Sequence, residues 1–243
     1  MSEKREIVIP GEIIKEGEDF LPGDGTRRVG KNIVASRFGL KDEQNKLVKI
    51  IPLSGVYIPR RGNLVIGQVV DISFNGWMMD INAPYSSFLP VAECPRFFKK
   101  DDLSEYFDIG DLIACKVDSV KRKGVDLTIM PRGLGKLEDG MIMNVNSNKV
   151  PRVIGKEGSM ISMIKHYTGC EITVGQNGLV WIKGNSVEDE LFAKEAVLFV
   201  TEKSFVDGLT EKTERFLEEE AKKRGKKISK PLETQEEMDE GEQ

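Results

Sequence analysis

Few residues of this sequence could build a covalent framework or a metal site. Its 243 residues contain three scattered cysteines, Cys94, Cys115 and Cys170, without a Cys-x-x-Cys pair, and one histidine, His166. This spacing supports neither a disulfide framework nor a zinc site, so three buried free thiols are expected. His166 has no companion at ligand spacing and is expected on an exposed helix surface. We therefore predict no catalytic residues, no bound metal and no cofactor.

The sequence also lacks a long apolar run and an excess of basic charge. No stretch approaches the ~20 apolar residues of a membrane-spanning helix. The N-terminus has no signal-peptide core, so a cytoplasmic protein is expected. The net charge is −4, whereas proteins that coat nucleic acid usually carry an overall basic field. Any contact with nucleic acid is therefore expected from local loops.

The C-terminal residues carry two opposite blocks of charge. Residues 222–230 hold six basic side chains, and residues 233–242 hold six acidic ones and no base. The acidic run lacks the apolar residues that a folded core needs. A solvated, partly disordered tail is the simpler interpretation of such blocks, and binding of RNA or a protein partner is the alternative.

The most informative stretch is the loop Gly155-Lys156-Glu157-Gly158, which follows Arg152 and leads into an amphipathic run. A Gly-x-x-Gly loop before a helix is typical of a KH module, in which it binds the backbone of about four nucleotides. Glycine allows phosphates to approach the chain closely, and the helix N-terminus offers unpaired N–H groups to an anion. These five residues are the predicted RNA-binding residues of the module, although Glu157 places a negative charge within the loop.

The pattern of apolar runs and turn residues divides the chain into four segments. The fold class predicted for the whole chain is mainly β with α+β. Residues 1–60 contain short apolar runs between turns and no useful helical period, which predicts an N-terminal all-β domain, sandwich-like or barrel-like. Residues 61–131 are predicted to form an OB barrel, and residues 132–208 a type I KH domain. Residues 209–243 should form a last helix and the charged tail.

Five strands are expected in the barrel segment, with one long connection after the third, as in OB folds. They are predicted at residues 64–74, 77–81, 87–91, 112–120 and 125–130, with the charged connection at residues 96–107. Phe74, Trp77 and Phe88 are candidates to stack on single-stranded bases. The alternative for each ring is packing in the barrel core, the commoner environment of an aromatic side chain in a β domain.

A tight basic turn, Lys121-Arg122-Lys123, precedes the fifth predicted strand. Its three cations could contact phosphates of a bound strand. A solvated turn without a partner is the alternative for each of them. Residues 131–135, which contain one proline and two glycines, are predicted to form a linker to the next domain.

The KH segment is predicted in the order β-α-α-β-β-α. Its strands are expected at residues 141–145, 170–174 and 179–182, and its helices at residues 150–154, 159–168 and 187–206. The turn Gly175-Gln176-Asn177-Gly178 joins the last two strands, because Asn-Gly is a strong hairpin signal. Ser186 is a typical N-cap of the third helix. A further helix should begin at Thr210 and stop at Gly225.

Several local sequences resemble one known family over nearly all of residues 5–225. They are Val8-Ile9-Pro10-Gly11-Glu12, Phe20-Leu21-Pro22-Gly23-Asp24-Gly25-Thr26, Pro59-Arg60-Arg61-Gly62-Asn63-Leu64-Val65-Ile66-Gly67 and Gly175-Gln176-Asn177-Gly178-Leu179-Val180-Trp181. With a β-rich domain, an OB barrel of the ribosomal S-one type and a KH domain in that order, the chain resembles the RNA-binding cap subunits of the archaeal exosome, the ribosomal-RNA-processing-protein-four family. The intact Gly-x-x-Gly loop resembles that of the archaeal branch of the family, since the eukaryotic relatives have generally lost this loop.

This resemblance implies a non-catalytic subunit. In that family three copies sit on a ring of RNase-PH-like proteins, with the N-terminal domain on the ring and the barrels around an entry pore. The cap recruits single-stranded RNA, often with a preference for A-rich tails, and passes its 3′ end to phosphorolytic sites for 3′-5′ degradation. Pro90 stands where many such barrels carry a histidine, which argues against base stacking at that position.

Two other functions are open from the sequence. A free-standing RNA chaperone or translation regulator would use the same modules, but it would need no additional N-terminal β domain for docking. A fragment of polynucleotide phosphorylase would also join a KH domain to an OB barrel. In that enzyme the KH domain precedes the barrel, whereas here it follows.

Overall fold

The computed structural model describes residues 6–95, 103–204, 206 and 208–225. The chain divides into two compact units. The unit that we call the barrel unit comprises Met1–Leu137, Asn144–Pro151 and Val174–Leu179, and the helical unit comprises Glu138–Met143, Arg152–Thr173 and Val180–Gln243. The predicted class, mainly β with α+β, is confirmed, while the four-segment division stays a prediction. In the described part of the chain, no helix is long and apolar enough to cross a membrane.

Seven short strands make up residues 6–60. They are β1 (Ile7–Val8), β2 (Ile13–Glu16), β3 (Leu21–Pro22), β4 (Thr26–Val29), β5 (Asn32–Ala35), β6 (Gly39–Gln44) and β7 (Leu47–Pro52). One sheet has the order β1-β6-β7-β3 and the other β2-β5-β4. Ile33, Val48 and Ile50 are among the buried residues at their core. The described residues of this region are all-β, as the sequence predicted.

Five strands form the closed barrel that was predicted. They are β8 (Leu64–Ser73), β9 (Gly76–Asp80), β10 (Ser87–Pro90), β11 (Leu112–Lys121) and β12 (Gly124–Thr128). The order β12-β10-β9-β8-β11 closes through the β11–β12 pairing. A short strand β13 (Gly135–Leu137) pairs with β11, so the last residue of the predicted linker begins a strand. Residues 96–102 of the predicted charged connection lie outside the described residues.

Alternating side chains of the barrel strands fill its interior, because successive residues of a strand point to opposite faces. Trp77 and Met79 of β9, Leu89 of β10 and Leu127 of β12 are each at most 3% exposed. Trp77 Nε1 donates a hydrogen bond to the Phe107 carbonyl oxygen (3.0 Å), and the two rings meet edge to face at a 5.0 Å centroid distance. The Trp77 ring is thus a central part of the core.

The turn Gly175-Gln176-Asn177-Gly178 belongs to the barrel unit. Asn177 is 1% exposed, and its Nδ2 donates to the carbonyl oxygens of Ile66 (2.7 Å) and Ile81 (2.9 Å). Its Oδ1 accepts a hydrogen bond from Ile66 N (3.3 Å). A side-chain amide can be buried in this way because its donors and one acceptor are all satisfied. The turn was predicted from the sequence, but its contacts with Ile66 of β8 and with Ile81, the residue after β9, were not.

The remaining elements follow the predicted β-α-α-β-β-α order. They are β14 (Met141–Asn144), α1 (Val150–Ile154), α2 (Ser159–Thr168), β15 (Glu171–Val174), β16 (Leu179–Lys183) and α3 (Val187–Glu202), followed by α4 (Leu209–Lys223). The strand order is β14-β16-β15. Within the helical unit, α2, α3 and α4 bury Ile164, Phe192 and Leu217 completely.

The ends of these helices agree with the expected signals in most cases. Ser186 Oγ accepts a hydrogen bond from Asp189 N (3.2 Å) at the start of α3, and Gly169 ends α2 in the left-handed conformation. Helix α3 ends at Glu202, four residues before its predicted end, where Lys203 leaves helical geometry. The acidic block and most of the basic block of the predicted tail lie outside the described residues.

Candidate nucleic-acid interface

A row of three side chains crosses the outer face of the barrel. Phe88 of β10 pairs directly with Met78 of β9 on one side and with Asp126 of β12 on the other. The flanking residues Ser87 and Leu89 are buried, whereas Phe88 is half-buried. Because side chains alternate along a strand, Phe88 lies on the face opposite the core. Residues in register on neighbouring strands have adjacent side chains, so the three form one continuous strip.

This strip lies in a cavity of about 260 Å³. The cavity is lined by Met78, Ser86, Ser87, Phe88, Lys121, Lys123, Gly124, Val125 and Asp126. Its volume is below the roughly 300–1,000 Å³ of most small-molecule sites. One planar ring on Phe88 is therefore a better fit than an extended ligand.

Asp126 is the acidic group of this cavity. Its Oδ2 accepts a hydrogen bond from Ser119 Oγ (2.8 Å) and forms an ion pair with Lys121 Nζ. Partial burial tends to raise the pKa of the carboxyl group, but the hydrogen bonds from Lys121 and Ser119 outweigh burial and hold that pKa below its usual value. Asp126 is therefore an ionised carboxylate at neutral pH.

The predicted basic turn lies at the rim of the same cavity. Lys121, Arg122 and Lys123 are all exposed, and Lys121 and Lys123 line the cavity. Lys121 is paired with Asp126, whereas no salt bridge to another described residue involves Arg122 or Lys123. These two cations are therefore available to a phosphate near the stacking strip.

The three predicted aromatic residues have different positions. Phe74 lies in the β8–β9 hairpin turn and is 88% exposed, and Phe88 lines the cavity. The expectation that Trp77 presents its ring to RNA is wrong, because its side chain is 0% exposed and packs on Phe107. Alternation along β9 places Trp77 inward and Met78 outward. Met78 and Asp126 were missed, although their outward positions follow once the strands are aligned.

The Gly155-Lys156-Glu157-Gly158 loop has the backbone that its glycines predict. Gly155, Glu157 and Gly158 have φ of 77°, 53° and 83°. A Cβ on Gly155 would lie 2.7 Å from Met160 N, so this position has no room for a side chain. Lys156 and Glu157 are exposed, as is the preceding Arg152. The loop thus presents one helix N-terminus and two cations, with the Glu157 carboxylate beside them.

Among the described residues, no cluster of three or more His, Cys, Asp or Glu could hold a metal ion. The three cysteines are buried and free, as predicted. Burial raises the pKa of Cys94 to about 12 and that of Cys115 further, so these thiols are poor nucleophiles. His166 is exposed on α2, again as predicted, with its ring against Tyr167.

Comparison with known proteins gives one consistent family. A sequence model of the KH domain matches residues 140–188. The exosome complex component Rrp4 of Methanothermobacter thermautotrophicus is 43% identical over 218 residues, which cover 88% of this chain and 68% of that protein. For the Rrp4 of Thermococcus kodakarensis the identity is 42%, with 88% and 85% covered. For that of Methanothermus fervidus it is 42%, with 88% and 96% covered.

A solved structure agrees with these relatives. A crystal structure described as an exosome complex RNA-binding protein superposes with a TM-score of 0.62 at 32% identity, covering 70% of this chain and 99% of that one. The relatives are named as components of a complex and not as enzymes. From the barrel, the KH match and this similarity over most of its length, the chain belongs to the Rrp4 family of exosome complex components.

Proposed function

We propose that this chain is a non-catalytic, RNA-binding component of an exosome. It binds single-stranded RNA on the outer face of its barrel and at its Gly-x-x-Gly loop, and delivers the 3′ end to a phosphorolytic RNase-PH-like ring. The observation that carries the proposal is the cavity that combines Phe88 with the basic turn. An accessible ring beside unpaired cations is the arrangement that single-strand-binding barrels use.

The barrel would contribute most of the affinity per base. A base that stacks on an aromatic ring gains about 1–3 kcal/mol, largely independent of its identity. Phe88 provides such a ring in the cavity, and the exposed ring of Phe74 provides a second one at the hairpin. Arg122 and Lys123 would bind the phosphates on either side of the stacked base.

The Gly-x-x-Gly loop would add a contact to the RNA backbone. Its exposed Lys156 and Arg152 attract phosphate, and the narrow glycine backbone lets the RNA approach the N-terminus of α2. Glu157 reduces this attraction. Each phosphate contact should weaken with salt, because binding releases counterions from the RNA.

Exposed apolar residues of the N-terminal strands favour a protein partner there. Ile7, Ile9, Leu21 and Leu47 are between 39% and 60% exposed, and Leu21 pairs directly with Leu47 across β3 and β7. Leu21 and Leu47 are therefore neighbours, whereas β1, which carries Ile7, lies at the opposite edge of the same sheet. Adjacent exposed apolar residues are typical of protein-binding sites. We therefore assign contact with the ring to this domain, with three copies forming the cap. The preference for A-rich tails and the cytoplasmic location remain predictions.

Replacing Phe88 tests this function. We expect Phe88→Ala to weaken binding of a single-stranded RNA nonamer at least fivefold, the lower end of a stacking loss. Fluorescence anisotropy with the full chain measures it, and the thermal unfolding midpoint checks the fold. Phe88→Leu keeps apolar packing without the ring and should lose most of the same affinity. Phe38→Ala removes a 40% exposed ring from the N-terminal domain and serves as the matched control.

Two results would contradict the proposal. Wild-type affinity in both Phe88 variants would exclude the cavity as the RNA site. Purification of the native protein without RNase-PH-like subunits would exclude its role in the exosome and favour a free-standing RNA chaperone.

A further inference from the structure

Asp126 is an unexpected group on a surface that binds a polyanion. Both of its described contacts, from Ser119 Oγ and Lys121 Nζ, are made to Oδ2. Oδ1 has no hydrogen-bond partner among the described residues, and Asp126 lines the cavity. A carboxylate can accept about four hydrogen bonds in total. The cavity therefore contains a strong acceptor that the protein leaves open.

We infer that Asp126 makes the barrel cavity selective for adenine and cytosine, whose exocyclic amino group lies at C6 of the purine or C4 of the pyrimidine, over uracil. This inference depends on the proposed function, since it requires a base stacked on Phe88. It identifies which chemical feature of the base the site reads and which side chain reads it.

The strand register places the acceptor beside the stacked base. Phe88 and Asp126 are direct neighbours across the parallel β10–β12 pairing, and neighbouring strands are about 4.8 Å apart. A base that covers the Phe88 ring therefore has one edge above β12, within reach of the Asp126 carboxylate. On the opposite side the base meets Met78, whose thioether is only a weak acceptor. Asp126 is thus the strong acceptor of this strip.

The chemistry of the acceptor determines which bases it accepts. Because its pKa is held low, Asp126 is ionised and can only accept hydrogen bonds. Adenine N6 and cytosine N4 are amino donors that project from the base edge. Uracil has the O4 carbonyl at the equivalent position, and its N3–H lies between two carbonyl oxygens. A carboxylate near that edge is repelled by these oxygens or left without a partner, which is unfavourable.

The ion pair with Lys121 explains how the carboxylate is compatible with RNA. It places a positive charge beside Asp126 on the side of the basic turn. Arg122 and Lys123 remain for phosphates. The backbone and the base are then bound by separate groups.

The test removes one amino group from the RNA and one charge from the protein. The full chain is titrated with a nonamer of adenosine and with a nonamer of purine ribonucleoside, which lacks only the 6-amino group. We expect wild-type protein to bind the purine nonamer about tenfold more weakly, the size of one hydrogen bond to a charged group. In Asp126→Asn this difference should disappear, because the single amide oxygen is taken by Ser119 and Lys121 and the NH2 group that replaces Oδ1 can only donate.

Asp118→Asn is the matched control. Asp118 lies on β11 outside the cavity lining and is paired with Arg61 (3.8 Å). It should keep the full difference between the two nonamers. The ratio of the affinity for a uridine nonamer to the affinity for a cytidine nonamer should be higher in Asp126→Asn than in wild-type protein. The two RNAs of each pair stack differently, but this difference is the same in every protein variant. Loss of the Lys121 ion pair affects both RNAs of a pair alike. Comparing affinity ratios between variants therefore removes both effects.

The outcomes separate this inference from the function on which it rests. If wild-type protein binds both nonamers equally and Phe88→Ala weakens both, the site binds RNA but Asp126 does not select the base. If wild-type protein binds neither nonamer, the proposed function and this inference both fail. The comparison of nonamers on wild-type protein requires no variant, so a misfolded Asp126→Asn does not prevent the test.

Discussion

Two turns of this chain share the Gly-x-x-Gly spacing and have opposite environments. In Gly155-Lys156-Glu157-Gly158 both central side chains are exposed. In Gly175-Gln176-Asn177-Gly178 the Asn177 side chain is 1% exposed and makes three hydrogen bonds to the backbone of Ile66 in β8 and of Ile81, the residue after β9. An amide can be buried with its polar atoms satisfied, whereas unpaired charges cannot. The spacing gives a compact turn, and the two residues between the glycines determine whether it faces solvent or protein.

The first glycine of each turn is required for a different reason. Gly155 has a positive φ of 77°, which residues other than glycine rarely adopt. It also lies so close to Met160 that a Cβ would not fit. Gly175 has no positive φ. A Cβ there would overlap Asn177 Oδ1 and lie 2.9 Å from Ile66 N. One glycine is needed for backbone conformation and space, the other for space alone.

Removing the buried amide should have the largest effect. We expect Asn177→Ala to lower the free energy of unfolding by about 3 kcal/mol, because the Ile66 and Ile81 carbonyl groups lose buried donors. Urea denaturation monitored by circular dichroism measures this loss. Glu157→Ala, the equivalent position of the exposed turn, should change stability by less than about 0.5 kcal/mol. Equal stabilities of the two variants would contradict the difference between the turns.

Adding a methyl group compares the space in the two turns. Gly175→Ala should destabilise the protein by about 2 kcal/mol, because the new atom displaces Asn177 from the barrel backbone. Gly158 has open space around its Cα and a φ of 83°. Gly158→Ala should therefore lower the free energy of unfolding only by the strain of a left-handed backbone at alanine, about 1 kcal/mol. The ranking of the two denaturation midpoints checks this, and a reversed ranking would show that the Gly175 contact relaxes easily.

The smallest effect is expected from the exposed cation. Lys156→Ala should weaken RNA binding about threefold and reduce the slope of log affinity against log salt by about 0.7, the value for one phosphate of a single strand. Anisotropy titrations between 50 and 200 mM salt, a range in which such slopes are resolved, measure both. The control is Lys165→Ala, which removes the same charge from α2 at a position away from the loop. An unchanged slope in Lys156→Ala would exclude this lysine as a phosphate contact.

The sequence predicted the barrel strands well because each carries a clear alternation bounded by turns. Within the N-terminal domain, the apolar runs at residues 7–9, 33–38 and 47–53 predict strands that overlap β1, β5 and β7, whereas β2, β3, β4 and β6 were not predicted. β3 and β4 are short and mostly exposed, and β6 carries the largely polar sequence GLKDEQ, so these strands have little apolar periodicity. Pairing with neighbouring strands, which local sequence does not specify, determines their conformation.

The candidate site was predicted in part. Phe88 and the basic turn were identified from residue type, and the structure places Phe88, Lys121 and Lys123 around one cavity. Trp77 was a candidate for the outer face of the barrel, but its ring lies in the core. An aromatic residue in a short strand can occupy either face, and the local sequence does not reveal the register that decides between them. Asp126 has no signal in the local sequence, since its importance depends on Phe88 from a strand that is distant along the chain.

By itself the sequence determined the order of the five barrel strands and of the KH elements, the glycine turns and the loop that begins α2, because these depend on backbone conformation and on periodicities of neighbouring residues. Only the tertiary structure decided that the Trp77 ring lies in the core, that Asn177 binds the barrel and that Asp126 lies beside Phe88. Each of these facts depends on contacts between residues far apart in the chain. Such contacts follow from the closure and register of the sheet, which no local pattern encodes.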